Sequence, residues 1–301
     1  MVYLHKLMSG ESRIGDTQLM IRAIRVAGIA YLFGALPHRN GARFLGRGIL
    51  HADQEDARGR DIRRASGLRQ PRTAWFWRAL IRRIQPDLVL DIGANYGEMS
   101  MLVPRATKLM IIEPQPQLLP WLRLSFGRRQ NVTIQPIAAS DRNGSAVLHI
   151  PSMWSGTASL TGRISHPRFL DESHNEHVVK VATIDSILPD FSGQLAFKID
   201  VEGHEPAVLR GMRRTLKQSA TFAGVIEYNA EYLKAAGAEL SDLKELIHDA
   251  GGTIFAISED GRLVVEPATT NTDLYGDIFV TSDPRILKDI RLPLVLRVRR
   301  S

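Results

Sequence analysis

Leu88-Val-Leu-Asp-Ile-Gly-Ala-Asn-Tyr-Gly97 is a short apolar run that ends in an acid and then a glycine-punctuated turn. An apolar run without alternation is the pattern of a strand buried on both faces, as in a parallel sheet covered by helices. The same pattern returns along the chain at Lys108–Pro114, Val132–Ala138, Leu195–Val201, Ala223–Asn229, Thr253–Ser258 and Asp277–Ser282. Helical segments are expected between them, at 75–84 (ended by Pro86), 97–106, 116–128, 205–217 and 240–249. This alternation predicts an α/β fold: a Rossmann-like, doubly wound, mostly parallel seven-stranded sheet. Ala146–Ile150 and Val178–Ile184 read as edge or hairpin strands around a polar excursion, Ser152–His177. That excursion holds Trp154, His166, Phe169, His174 and His177, a composition suited to stacking on a ring while bonding its hydroxyls. Sheets of this kind bind ligands beyond the carboxyl ends of their strands, so the polar residues found there are the candidate site.

With 301 residues, 44% of them hydrophobic, the chain can bury a substantial core, and disordered or collagenous classes are excluded. It has no cysteine, so disulfides, iron–sulfur clusters and Cys-ligated zinc are excluded too. The net charge of +7 is carried by the ends. Residues 1–70 hold +6 and residues 285–301 hold +5, which leaves 71–284 near −4. That division argues against a nucleic-acid partner, and leaves the basic ends as a peripheral contact for an anionic membrane surface. The domain reading follows: 1–70 a basic, helical extension with a helix-like segment at Ile21–Leu36, 71–284 the Rossmann-like domain, 285–301 a basic tail. The uncharged stretch Val26–Leu36 is 11 residues long, short of the roughly 20 that cross a bilayer. Glu11 and Asp16 precede it and no small-residue cleavage site follows, so no secretory signal is read and a cytoplasmic location is expected. The oligomeric state is left undetermined.

The first candidate site lies in Asp91-Ile-Gly93-Ala-Asn95-Tyr-Gly97, where glycines permit a tight turn and free backbone N–H groups. Glu113 ends the second strand, 22 residues after Asp91, and Asp141 follows the third in Ala-Ala-Ser-Asp. An acid at the end of the second strand suits a ribose diol. A carboxylate at Asp91 would repel a pyrophosphate and attract the ammonium and sulfonium of S-adenosylmethionine. The Gly-x-x-x-Gly spacing misses the dinucleotide fingerprint, and no phosphate-binding loop with Lys-Ser/Thr occurs. S-adenosylmethionine is therefore preferred as cofactor over a nicotinamide dinucleotide, with Asp141 placed to accept from an adenine amine.

Six further segments accompany this turn: Ile112-Glu-Pro114, Ala139-Ser-Asp141, Thr157-Ala-Ser-Leu160, Thr183-Ile-Asp185, Lys198-Ile-Asp-Val-Glu-Gly-His-Glu205 and Val225-Ile-Glu-Tyr228. Together they resemble the FkbM-type methyltransferase family over roughly residues 75–282. The resemblance implies a sheet of the class I methyltransferase type and S-adenosylmethionine-dependent methyl transfer to a hydroxyl of a sugar, glycan or hydroxylated natural product. It further implies that Asp91, Gly93 and Asn95, in the loop closed by Gly97, line the methionine end of the cofactor, Glu113 the ribose and Asp141 the adenine. The competing functions are an NAD(P)-binding oxidoreductase on the same fold and a non-catalytic, membrane-associated scaffold that retains the pocket.

The second candidate site is Asp200-Val-Glu202-Gly-His204-Glu205, just past the fourth strand, with Glu227 from the fifth. An alcohol needs a partner for its proton as it attacks, and Asp200, Glu202, His204 and Glu227 are the candidate bases. Strand alternation would send Asp200 and Glu202 to one side, and two close like charges raise one pKa. Alternatively these acids, with His204, could ligate a hard divalent ion that acidifies the hydroxyl. No close pair of histidines supports a metal, so none is assigned. Lys198, in a strand expected to be buried, reads as an ion-pair partner of Asp200 or Glu227.

Overall fold

The computed structural model describes residues 28, 31–164, 168–169, 172–257, 263–265 (backbone) and 276–293. Most of the helix-like N-terminal segment, His166 and the tail beyond residue 293 lie outside the described residues. In chain order, the N-terminal part forms β1 (Ala35–His38), β2 (Gly41–Phe44), β3 (Gly48–His51) and α1 (Ala57–Arg64). There follow α2 (Pro71–Ile84), β4 (Leu88–Ile92), β5 (Lys108–Ile112), α3 (Leu119–Phe126), β6 (Val132–Gln135), β7 (Ala138–Ala139), β8 (Gly144–Pro151) and β9 (His174–Ala182). The remainder is α4 (Ile184–Ile187), β10 (Gln194–Ile199), α5 (Glu205–Gly211), α6 (Arg213–Gln218), β11 (Thr221–Tyr228), α7 (Ala230–Ala235), α8 (Leu240–Asp249), β12 (Thr253–Ile257), β13 (Leu263–Val265) and β14 (Gly276–Thr281).

The central sheet has the order β13-β12-β14-β11-β10-β4-β5-β6. β6, β5, β4, β10 and β11 run parallel, and β14 is antiparallel to both β11 and β12. All seven expected strands are present; β13, three residues paired antiparallel to β12, adds an edge. β4 is buried at every position, because β5 and β10 flank it and helices cover both faces. Its alternate residues serve two cores. Val89 packs with Phe76, Trp77 and Leu80 of α2, whereas Leu88, Leu90 and Ile92 pack with Val208, Leu209, Leu216 and Ile247 of α5, α6 and α8.

Three features depart from the sequence reading. Residues 33–68, expected as a helical extension, instead form three short strands and α1, and Phe33, Phe44, Leu50, Ile62 and Leu68 are buried in the same cluster as α2. Four-residue strands rich in Gly and Arg carry too little alternation to be recognised. Residues 97–106 form turns and a single 3₁₀ turn at Ser100–Leu102, because Gly97 is left-handed (φ +85°) and Pro104 holds Val103 extended (ψ 130°). The helix expected at 205–217 is two, divided at Met212 (φ −120°). β8 and β9 pair antiparallel around the excursion, the hairpin of the two expected arrangements, and lie outside the central sheet. They form a separate three-stranded sheet with β7, and a bridge from His149 to Ser159 folds the start of the 152–177 excursion back over it. Among the described residues, no helix is long and apolar enough to cross a membrane.

Candidate active site

A cavity of about 570 Å³, counting its open mouth, lies over the carboxyl ends of β4, β5 and β10. Its floor is the turn after β4. Gly93 there is left-handed (φ +73°), and a Cβ on it would lie 1.8 Å from the carbonyl oxygen of Asp200. Only glycine allows the end of β4 to close against the end of β10. Asn95 is also left-handed (φ +52°), a conformation that Asn tolerates better than most residues. Its amide is held from both sides: Oδ1 accepts from Arg58 Nε at 3.0 Å, and Nδ2 donates to the Ser155 carbonyl at 3.1 Å. Glu113 faces the cavity and accepts backbone N–H bonds from Asn95 (2.7 Å) and Gln115 (3.0 Å). Burial pushes its pKa up to about 7 against those two bonds.

Asp200 and Glu202 form the opposite wall. β10 ends at Ile199 and Glu202 is left-handed (φ +53°), so a sharp turn rather than strand alternation brings the two acids to one side. Glu205 latches that turn, Oε1 accepting from the backbone of Val201 (3.1 Å) and Gly203 (3.2 Å). Oxygens of Asp200, Glu202 and Glu227 all lie within 4.8 Å of one another. Lys198 is 4% exposed and donates to Asp200 Oδ2 at 2.5 Å. Burial alone would raise Asp200, but the ammonium beside it holds that carboxyl well below the usual range. Glu202 and Glu227 are pushed well above theirs, first by burial and then by the Asp200 charge. Glu227 Oε2 is buried and has no hydrogen-bond partner among the described residues. Asp277 of β14, bonded by Thr73 at the start of α2, completes the carboxylates around Lys198; burial moves it up to about 6.

The remaining expected residues divide. His204 lines the cavity, with Nε2 3.0 Å from Ser140 Oγ, and burial lowers its pKa. Asp91 and Gly97 lie behind the wall. Asp91 is buried beside Lys198 in register, accepts from Ser100 Oγ at 2.6 Å, and leaves Oδ1 without a partner among the described residues. Its pKa is raised by burial, an effect Lys198 partly offsets. Gly97 gives room to Phe126, whose ring would lie 2.6 Å from a Cβ. Asp141 stands outside the wall, a third exposed, 3.6 Å from both Arg142 and Arg210. The cavity is therefore ringed by carboxylates, but the set is Glu113, Asp200 and Glu202 rather than Asp91, Glu113 and Asp141. Two further segments complete the wall, of which the sequence reading anticipated only the excursion. Arg58 comes from α1 and is ion-paired with Glu98 at 3.2 Å; Ser155, Gly156, Ala158 and Leu160 come from the start of the excursion. Thr157-Ala-Ser-Leu160 was visible as a motif, whereas nothing local marks Arg58.

Five parallel strands, an antiparallel β14 between β11 and β12, and a cavity at the carboxyl ends of β4, β5 and β10 are the architecture of a class I methyltransferase. Residues 91–251, more than half of the chain, match the methyltransferase FkbM domain, and the chain belongs to that family. It is a methyltransferase, which displaces the oxidoreductase and scaffold alternatives. A relative, the 2-O-methyltransferase NoeI of Sinorhizobium fredii, is 28% identical over 195 residues, 59% of this chain and 78% of NoeI. Among solved structures, the methyltransferase FkbM of Methylobacillus flagellatus KT is 17% identical with a TM-score of 0.40. That likeness covers 65% of this chain, which spans only 43% of the Methylobacillus chain. The O-methyltransferase TomG of Streptomyces achromogenes, solved with S-adenosylmethionine, is 13% identical with a TM-score of 0.38 over 70% of this chain and 79% of its own.

Proposed function

We propose that this methyltransferase uses S-adenosylmethionine and transfers the methyl group to a hydroxyl oxygen of a sugar, a glycan or a hydroxylated natural product. The carboxylate ring of Glu113, Asp200 and Glu202 carries the reading. Carboxylates suit a ligand with a cationic ammonium and sulfonium, and the apolar wall of Ile112, Ile137, Leu148 and Leu160 suits a purine. The 2-O-methyltransferase activity of the relative NoeI supports oxygen as the acceptor atom.

The bound cofactor would supply an electrophilic methyl group on a positively charged sulfur. Glu113 would accept from the ribose hydroxyls, and the turn Gly93–Asn95 would hold the amino-acid end. The protein's task is then alignment and proton removal. Asp200, kept ionised by Lys198, raises the basicity of Glu202, which makes Glu202 the stronger base toward an acceptor hydroxyl. Glu227 is raised by the same burial and Asp200 charge, and its side-chain hydrogen bond with Asp200 acts in the same direction. A divalent cation on Asp200, Glu202 and Glu227 is the second reading, favoured by the spacing of their oxygens. Lys198 and Arg58 already supply positive charge to the same acids, so the base reading is preferred.

A labelled-methyl transfer assay against cell-envelope glycans and small-molecule extracts tests the class of acceptor. Within it, Glu202→Gln should lower kcat by about 10²–10⁴-fold. Affinity for S-adenosylhomocysteine, measured by calorimetry, should stay within about twofold. Wild-type turnover in E202Q removes the base assignment, and loss of turnover with a chelator alone selects the cation. Binding of NAD in place of adenosylhomocysteine overturns the cofactor.

A further inference from the structure

Trp154 is 2% exposed, yet three guanidinium groups surround its ring. The Cζ atoms of Arg69, Arg168 and Arg58 lie 4.8, 4.9 and 6.0 Å from the ring centroid. They come from two parts of the chain: Arg58 from α1 and Arg69 from the turn before α2, and Arg168 from the 152–177 excursion. Each stack is favourable, but three like charges around one ring repel. Neighbouring carboxylates answer two of them. Arg58 is paired with Glu98 at 3.2 Å and Arg168 with Asp61 at 2.6 Å. Asp56, also nearby, spends its oxygens on the Tyr96 hydroxyl, Ser155 and the backbone of Arg58.

Arg69 is left over. Its backbone N–H donates to Glu98, but its half-buried side chain has no hydrogen bond and no ion pair among the described residues. Burial lowers its pKa and the Arg58 charge adds to that, while Glu98 and Asp61 act in the opposite direction from a distance, neither of them ion-paired with its guanidinium. A guanidinium held by a stack, with its donors unspent, is built to receive a planar or tetrahedral oxyanion. The cluster also adjoins the cavity. Arg58 lines it, and so do Ser155 and Gly156, which directly follow Trp154. Gly156 is what permits the contact, since a Cβ there would meet Trp154 Nε1 at 2.5 Å and Arg58 Nη1 at 2.9 Å.

Building on the methyl-transfer reading above, we propose that the Arg69–Trp154 stack is an acceptor subsite for an oxyanion, so that the preferred substrate is a hydroxylated molecule, such as an acidic sugar, bearing a carboxylate, sulfate or phosphate. Arg69 is then a specificity residue: it holds the charged substituent while Asp200 and Glu202 face the hydroxyl. A neutral sugar would leave its donors unpaired.

The test uses the full chain saturated with S-adenosylhomocysteine, with glucose, glucuronate and glucose 6-phosphate as probes in a calorimetric or saturation-transfer titration. Either anionic sugar should bind about tenfold more tightly than glucose, the scale of one charge-assisted contact. Which of the two binds better distinguishes carboxylate from phosphate. Arg69→Gln should remove the preference, and Arg69→Lys should restore part of it by returning charge without the flat stack. Adenosylhomocysteine affinity and melting temperature should be unchanged in both. Raising KCl from about 0.05 to about 0.5 M should weaken the anionic sugars and leave glucose unaffected, a check that needs no variant. Equal affinity for all three sugars in the wild type, or an intact preference in R69Q, overturns the proposal. Failure of adenosylhomocysteine to bind counts against the cofactor reading instead, so the two are separable.

Discussion

Lys198→Met removes the only cation on the strand that faces Asp91, Asp200, Glu227 and Asp277, while conserving most of the side-chain volume. In the wild type the ammonium is 4% exposed and 2.5 Å from Asp200 Oδ2. Its pKa is shifted upward and that of Asp200 downward. The downshifted Asp200 contributes stability above its unfolded value of 3.8, lost as pH falls through its folded one. The upshifted Lys198 contributes below its unfolded value of 10.5, lost as pH rises through its folded one. The pair is therefore fully effective between about pH 4 and pH 10. Removing one partner of a buried pair costs about 3–5 kcal/mol, because the other charge remains buried and alone. With a urea slope of about 3 kcal/mol/M, the midpoint at about pH 7.5 should fall by about 1–1.7 M. In the variant the stranded carboxylates can take up protons, so the deficit should shrink by at least about 1 kcal/mol at about pH 4.5. Urea denaturation followed by tryptophan fluorescence at both pH values measures it. A deficit under about 1 kcal/mol at the higher pH, or the same deficit at both, refutes Lys198 as the counter-ion of the cluster.

Two further outcomes follow from the same geometry. Gly93→Ala puts a methyl group 1.8 Å from the Asp200 carbonyl at a left-handed position, so the ends of β4 and β10 must separate. A loss of about 2–4 kcal/mol by thermal melting, with adenosylhomocysteine binding abolished, is expected; an alanine variant that binds normally removes this turn from the site. Glu113, raised from 4.5 to about 7, carries stability that is full below 4.5 and is lost as pH rises through about 7. Accepting from ribose hydroxyls favours the ionised form. Adenosylhomocysteine affinity should therefore rise with pH through about 7, with protons released on binding, as calorimetry in buffers of different ionisation enthalpy would register. Glu113→Gln should abolish the proton release and cost about 1–3 kcal/mol of affinity.

Much of this site was legible in the residues. The turn at Gly93, the acid at Glu113 and the acids that follow Lys-Ile lie where a strand ends, and strand ends are marked by local pattern. The pairing of Lys198 with Asp200 followed from expecting a buried strand. Other features depended on where side chains finally point. Asp91 and Lys198 are cross-strand neighbours facing α2, so Asp91 supports the cavity from behind instead of lining it. Asp141 follows a two-residue strand and turns outward to Arg142 and Arg210.

By itself, the sequence determined where the strands lie along the chain, the glycine turn, the acids at the strand ends and the family, since each is written in local periodicities and short motifs. Tertiary structure alone decided which acids share a cavity, that a sharp turn rather than alternation brings Glu202 beside Asp200, and that α1 and the excursion complete the wall. Arg58 and Ser155 meet Asn95 across 37 and 60 residues of chain. Contacts so distant are selected by packing and by the pairing of buried charges, and no local pattern carries their imprint.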